Sequence, residues 1–179
     1  ENGINEMQFG YVMRPTHRSR EYEKDRFEVC NHRFTDLSEL RYGVSLLNDC
    51  KYGISVKDGC MALTLHKGGC RPDAAGDKGI HDCTYALLPH IGDFSSDTVI
   101  RAAYCINDPV SVVSGRTQNQ QSFVSSSESN VIIETIKPAE DDATNCYILR
   151  IYEAEGCASH AEISFGHSRT LLGLRDESQ

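Results

Sequence analysis

Tryptophan is absent from the 179-residue sequence, and so is any apolar stretch of the roughly 18 residues that a membrane-spanning helix needs. The second absence excludes a helical span. The polar start Glu1 to Glu6 has neither a basic nor an apolar segment, so no export signal is expected. An initiator methionine is also missing, and the expectation is that Glu1 is an internal position of a longer protein or the start of a trimmed one. Clustered positive charge is lacking as well: 18 Lys and Arg are scattered among 26 Asp and Glu, for a net charge of -8. Phosphate backbones are held by grouped Lys and Arg, so a nucleic-acid partner is not expected.

Catalytic and cofactor signatures are missing too. No G-x-S-x-G elbow, no G-x-x-x-x-G-K-[ST] phosphate loop and no H-E-x-x-H pair occurs. The string Arg71-Pro72-Asp73-Ala74-Ala75-Gly76-Asp77-Lys78-Gly79-Ile80-His81-Asp82 gathers three Asp and one His. Its spacing is not that of an EF-hand, and Lys78 opposes a cation, so a solvated loop is expected. His17, His32, His81 and His90 stand singly and are expected to be structural, which leaves no metal ligand and no catalytic residue to assign.

What is present is enough apolar residue, 39% of the chain, to bury roughly two thirds of the unfolded surface in one or two cores. Eight cysteines, several inside apolar runs such as Cys83 and Cys146, are expected to be free thiols, with no N-glycosylation sequon beside them. A cytoplasmic location follows as an expectation.

The apolar pattern consists of short β-branched and aromatic runs bounded by Gly, Pro, Asn and Asp, which predicts an all-β fold. Strands are expected at 7–13, 26–32, 42–48, 60–66, 81–88, 98–104, 130–137, 147–153, 161–165 and 170–174. Turns are expected at Lys57-Asp58-Gly59 and Glu155-Gly156, and one short helical turn at Thr35 to Glu39, where Thr35 and Ser38 are capping residues. The Ser- and Gln-rich stretch 114–130 predicts an exposed loop. With the Asn107-Asp108-Pro109 turn, it divides the chain into a larger β unit over 1–108 and a smaller one over 109–179.

One string carries candidate chemistry. Tyr42-Gly43-Val44-Ser45-Leu46-Leu47-Asn48-Asp49-Cys50-Lys51-Tyr52-Gly53 runs an apolar strand directly into Asn48, Asp49, Lys51 and Tyr52. Amide, carboxylate and ammonium groups bond sugar hydroxyls in both directions, and a tyrosine face stacks on a pyranose. The same string also reads as a polar hairpin turn.

This string and others in order along the chain resemble glycoside hydrolase family 38 α-mannosidases of the cytosolic and bacterial kind. They are Phe9-Gly10-Tyr11-Val12-Met13-Arg14-Pro15-Thr16-His17, Arg26-Phe27-Glu28-Val29-Cys30, His32-Arg33-Phe34-Thr35-Asp36-Leu37-Ser38-Glu39 and Thr84-Tyr85-Ala86-Leu87-Leu88-Pro89-His90. Ile133-Glu134-Thr135-Ile136-Lys137-Pro138 and Leu149-Arg150-Ile151-Tyr152-Glu153 follow. The resemblance implies the C-terminal β region of a retaining exo-α-mannosidase, with part of a large galactose mutarotase-like β-supersandwich over 1–108 and a smaller β-sandwich over 109–179. It implies that zinc, the nucleophile and the acid/base lie in a catalytic barrel outside this chain, which is itself expected to be inactive. Substrates would be α-mannosides or oligosaccharides met through the full-length enzyme, a homo-oligomer, with Asn48, Asp49, Lys51 and Tyr52 as contributors to the sugar pocket. Two readings stay open beside it: a stand-alone carbohydrate-binding β-sandwich, and a structural or assembly domain, which the lack of tryptophan favours.

Overall fold

The computed structural model describes residues 2–116, 122–140, 146–166 and 170–174. Within them, twelve strands pair into four antiparallel sheets, so the fold is an all-β sandwich architecture, as the pattern predicts. The largest sheet has five strands in the order β2 (Gly10–Pro15), β1 (Asn2–Met7), β4 (Phe34–Ser38), β5 (Tyr42–Asn48), β8 (Tyr85–Ile91). Its registers bring Phe34 opposite Leu47 and Ile4 opposite Asp36, which puts Ile4, Phe34 and Leu47 on one face.

That face is covered by a helical segment: a π-turn, Ser96–Ile100, continues into α2, Arg101–Asn107. Val99, Ile100 and Ala103, all buried, meet Ile4, Phe34 and Leu47 in one core cluster. Beyond the other face lies a three-stranded sheet, β3 (Val29–Cys30), β6 (Gly53–Lys57) and β7 (Cys60–Thr64), whose Ile54 is fully buried. Gly3 sits at this junction, where a methyl group would stand 3.8 Å from Val56 Cγ1. The β6–β7 hairpin turns at Lys57-Asp58-Gly59 as expected. Asp58 and Gly59 have φ of 51° and 73°, the left-handed pair of a tight hairpin turn.

Several local expectations are corrected. The strand expected at 98–104 is the π-turn and α2 instead. Its β-branched Thr98, Val99 and Ile100 favour a strand locally, but the buried positions 99, 100 and 103 follow a helical period, and Asp97 pairs with Arg101 one turn on at 3.3 Å. The helical turn expected at Thr35 to Glu39 is β4. The Thr35 hydroxyl donates to Asn5 Oδ1 at 3.0 Å, and Asp36 accepts from Ser38, Ser45 and His90, so no capping side chain is left for a helix. The expected strand 7–13 is divided between β1 and β2 by a turn at Phe9, with φ of 60°. Residues 170–174 form no strand, and a short helix α1, Glu21–Asp25, was not expected.

Beyond α2, the described residues form two strand pairs: β10 (Val131–Pro138) with β11 (Tyr147–Glu153), and β9 (Val124–Ser126) with β12 (Ile163–Phe165). Residues 117–121 of the expected loop lie outside the described residues. The β10–β11 pair leans on the first region: Ala154 enters the core cluster, the Tyr152 ring meets Phe9 edge-on at 5.8 Å, and Tyr11 Oη donates to the Glu155 carbonyl at 3.0 Å. Glu155 Oε1 also accepts the Ser96 N–H at 2.7 Å, tying this pair to the start of the π-turn.

Candidate functional site

The turn from β5 to β6 holds Asn48, Asp49, Lys51 and Tyr52, and the four side chains do different work. Asn48, the last residue of β5, is fully buried. Its Nδ2 donates to the His32 carbonyl at 2.7 Å, its Oδ1 accepts the Lys51 N–H at 2.7 Å, and its own carbonyl accepts Asn107 Nδ2 at 3.0 Å. The amide is thus committed to backbone on both sides, which fixes the turn against β4 and the end of α2.

Asp49 stands at the margin of the turn. Its Oδ2 accepts the Thr84 N–H at 2.9 Å, and Oδ1 is buried and meets no hydrogen-bond donor among the described residues. The adjacent Cys50 thiol and the Thr84 N–H hold this carboxyl below the usual carboxylate range, while the Asp49 carboxylate pushes the Cys50 thiol up. Lys51 is half-buried. Tyr52 is exposed, its ring edge-on to the His32 imidazole at 5.5 Å. The turn therefore exposes the Tyr52 ring, with the half-buried Asp49 and Lys51 beside it, all held from a fixed Asn48.

Residues that the sequence does not mark support this turn. Asn31 is fully buried beside it, its N–H donating to the Tyr52 carbonyl at 3.0 Å. Its side-chain Nδ2 and Oδ1 have no partner among the described residues. Such a group costs about 1–3 kcal/mol unless something meets it. Next in the chain, the Arg33 N–H donates to Glu6 Oε2 at 2.6 Å, its Nε donates to Oε1 at 2.8 Å, and the guanidinium lies 3.9 Å from the centre of the Tyr104 ring. Burial alone would lower the Arg33 pKa. The Glu6 carboxylate outweighs it and keeps the guanidinium charged. Tyr104 Oη in turn lies 3.3 Å from Tyr152 Oη, and burial together with that hydroxyl pushes Tyr152 above the usual phenol range. A polar chain so runs from Glu6 to β11. No sequence signal points to it, because its members lie on separate elements.

His90 is buried and places Nε2 at 2.9 Å from Asp36 Oδ1, which also accepts the Ser45 hydroxyl, while Asp36 Oδ2 accepts that of Ser38. Gly43 faces the same imidazole. A Cβ there would collide with the His90 ring and with Ser38 Oγ, so the glycine is required by close approach. Although Ser, Asp and His converge, each hydroxyl bonds the carboxylate rather than the imidazole, which is not the order of a nucleophilic triad. Among the described residues no group of three or more His, Cys, Asp or Glu comes together to hold a metal, and all eight cysteines are free.

Comparison with known proteins adds to this geometry. Residues 2–75 match the glycosyl hydrolases family 38 C-terminal domain, and residues 130–175 match the glycosyl hydrolases family 38 C-terminal beta sandwich domain. The chain is 44% identical over 161 residues to Alpha-mannosidase 2C1 of Homo sapiens, covering 88% of this chain and 15% of that protein. It is 39% identical over 181 residues to Alpha-mannosidase G of Dictyostelium discoideum, covering 97% and 16%. The chain thus spans about one sixth of the length of the curated relatives it matches. A crystal structure of a glycosyl hydrolase family 38 protein from Enterococcus faecalis shares the fold, with a TM-score of 0.67 at 17% identity over 92% of this chain and 20% of that one.

Proposed function

The chain belongs to glycosyl hydrolase family 38 as its C-terminal region, and on that premise we propose that it is the non-catalytic β region of a retaining exo-α-mannosidase, packed on a catalytic barrel and lending the β5–β6 turn to the mannose pocket. The observation that carries the second half is the division of labour in the turn. Asn48 is spent on backbone, Asp49 and Lys51 are half-buried beside it, and the Tyr52 ring is exposed. In this reading Asn48 positions the turn, Asp49 and Lys51 bond sugar hydroxyls, and Tyr52 offers a ring face.

The zinc expected from the family belongs to that barrel. In this reading no step of the chemistry runs through this chain. A homo-oligomeric parent with α-mannosides or oligosaccharides as substrates, and no nucleic-acid or membrane partner, completes the reading. No described helix is long and apolar enough to cross a membrane. The free thiols support a cytoplasmic location.

The test is made in the full-length enzyme. Tyr52→Ala and Asp49→Asn are expected to lower kcat/KM on an aryl α-mannoside by about tenfold or more, equivalent to about 1.4 kcal/mol, with the circular dichroism spectrum unchanged. Unchanged kcat/KM in both variants overturns the pocket role and leaves a structural domain. Zinc-dependent hydrolysis by the 179-residue chain alone overturns the non-catalytic assignment.

A further inference from the structure

The last register pair between β5 and β8 sets Asn48 opposite Tyr85, and beyond it the two segments stay together. The Asp49 N–H donates to the Thr84 carbonyl at 3.2 Å, and the Thr84 N–H donates to Asp49 Oδ2 at 2.9 Å. One residue further on, the Cys50 thiol donates to the Asp82 carbonyl at 3.8 Å. Residues 49 and 50 thus hold the peptide groups on both sides of Cys83, and the count that sets Asp49 against Thr84 sets Cys50 against Cys83. Directly opposed residues of antiparallel strands have Cα atoms about 4.5–5.5 Å apart, inside the range of about 4.4–6.8 Å that a disulfide spans. The thiols on β3 and β7 have no such counterpart, since Cys30 stands opposite Gly53 and Cys60 opposite Lys57.

Both thiols are free, Cys50 exposed and Cys83 half-buried, so a small reagent reaches the pair from solvent. The two are not equivalent. The neighbouring Asp49 carboxylate pushes the Cys50 thiol above its ordinary range, with slight desolvation and the Cys83 thiol adding to the effect. That Cys83 acts on Cys50 at all agrees with their opposed placement.

We propose that Cys50 and Cys83 form a dithiol site that a low-molecular-weight disulfide, such as glutathione disulfide, oxidises to an intrachain disulfide, pinning the β5–β6 turn to the start of β8. Because Asp49 keeps the Cys50 thiol protonated, the exchange begins at Cys83. The Cys83 thiolate attacks one sulfur of glutathione disulfide, forming a mixed disulfide and releasing one glutathione thiolate. The Cys50 thiolate then attacks the Cys83 sulfur, closing the bond between the two cysteines and expelling the second glutathione. The protein loses two electrons and two protons, and glutathione disulfide takes up both to become two glutathione thiols. In a compartment that keeps thiols reduced the bond is transient, and excess glutathione reverses it. The site does not rest on the mannosidase reading, because thiol exchange needs neither sugar nor barrel.

The test is incubation of the 179-residue chain with glutathione disulfide, a quench with iodoacetamide, and mass spectrometry of the tryptic digest. Cleavage after Arg41, Lys51, Lys78 and Arg101 leaves Cys50 and Cys83 as the single cysteines of peptides 42–51 and 79–101. These two peptides are expected to be found joined before any other pair of the eight cysteines, and separate again after excess glutathione is added. Cys50→Ser is expected to stop at a glutathione adduct on Cys83. Asp49→Asn is expected to close the bond about threefold faster or more, because it frees the Cys50 thiolate. Circular dichroism reports that each variant is folded. A glutathione adduct without joined peptides in the unaltered chain overturns the proposal, as does joining of other cysteines at the same rate. Absence of the Cys83 adduct in Cys50→Ser, or closure no faster in Asp49→Asn, overturns the order of the two steps.

Discussion

The two ends of this molecule solve the problem of burial differently. In the first region, β1 to β8 stack as two sheets and use the helical segment as a lid, and Ile4, Phe34, Leu46, Leu47, Ile54, Val99, Ile100 and Ala103 are withdrawn from solvent. In the second, the described strands form two separate pairs, and among the described residues beyond α2 the one buried apolar side chain is Ala154, which is buried by the first region. Two-stranded pairs are marginal by themselves in water. The second region is therefore held by what it touches and by its polar turns, while the first is held by its own core.

That contrast can be broken most severely at Phe34, which is 1% exposed and stacks on Phe94 at 5.5 Å within the cluster that also takes in Ala154. Phe34→Ala is expected to cost about 3–5 kcal/mol. Urea unfolding should show both regions lost together at a lower midpoint. A second region that melts unchanged would refute its dependence on the first.

A smaller effect is expected at Glu153, where β11 ends. This carboxylate accepts the N–H groups of Glu155 (2.8 Å), Gly156 (2.7 Å) and Cys157 (3.0 Å) and the Asn130 Nδ2 (2.8 Å). Partial burial opposes its charge, but these donors outweigh burial and hold its pKa below the usual glutamate range. A depressed carboxyl pKa stabilises the fold above the unfolded value of about 4.3, and the gain is lost as pH falls through the folded value. Glu153→Gln is expected to cost roughly 1 kcal/mol at pH 7. Thermal melts of the two proteins should converge at acid pH, and a constant gap down to pH 3 would show that the charge is not what matters.

The smallest effect is expected on the outer side of β10. Ile136 is 41% exposed, and Ile136→Thr keeps the β-branch that suits a strand. A change within about 0.5 kcal/mol is expected. A large loss by chemical denaturation would mean that the second region has a core of its own.

Much of the sheet was legible in advance. β5 and β11 lie where the short, partly alternating runs place them, and the Asp58-Gly59 turn follows from its residues. The β5–β6 turn was legible as a string, since Asn48, Asp49, Lys51 and Tyr52 stand together. Its internal division was not, because Asn48 is buried by His32 and Asn107, which reach it from β4's approach and from α2. The helical segment was misread because propensity at Thr98, Val99 and Ile100 favours a strand, and the sheet face it covers is built in large part by Ile4, Phe34 and Leu47, about fifty or more positions earlier.

By itself, the sequence determined the all-β class, the short strands and the tight hairpin turn, because these depend on side-chain period and on backbone freedom within a few residues. It also determined the family, because the ordered strings run through most of the chain. Only the tertiary structure decided which polar groups are structural and which are free. Asn48, Asp36 and Glu23 are spent on partners brought from other elements or turns, whereas the buried Asn31 amide meets no partner among the described residues. The physical reason is that a polar group's availability depends on what lies within about 3 Å of it, and in a sheet sandwich those neighbours come from distant parts of the chain.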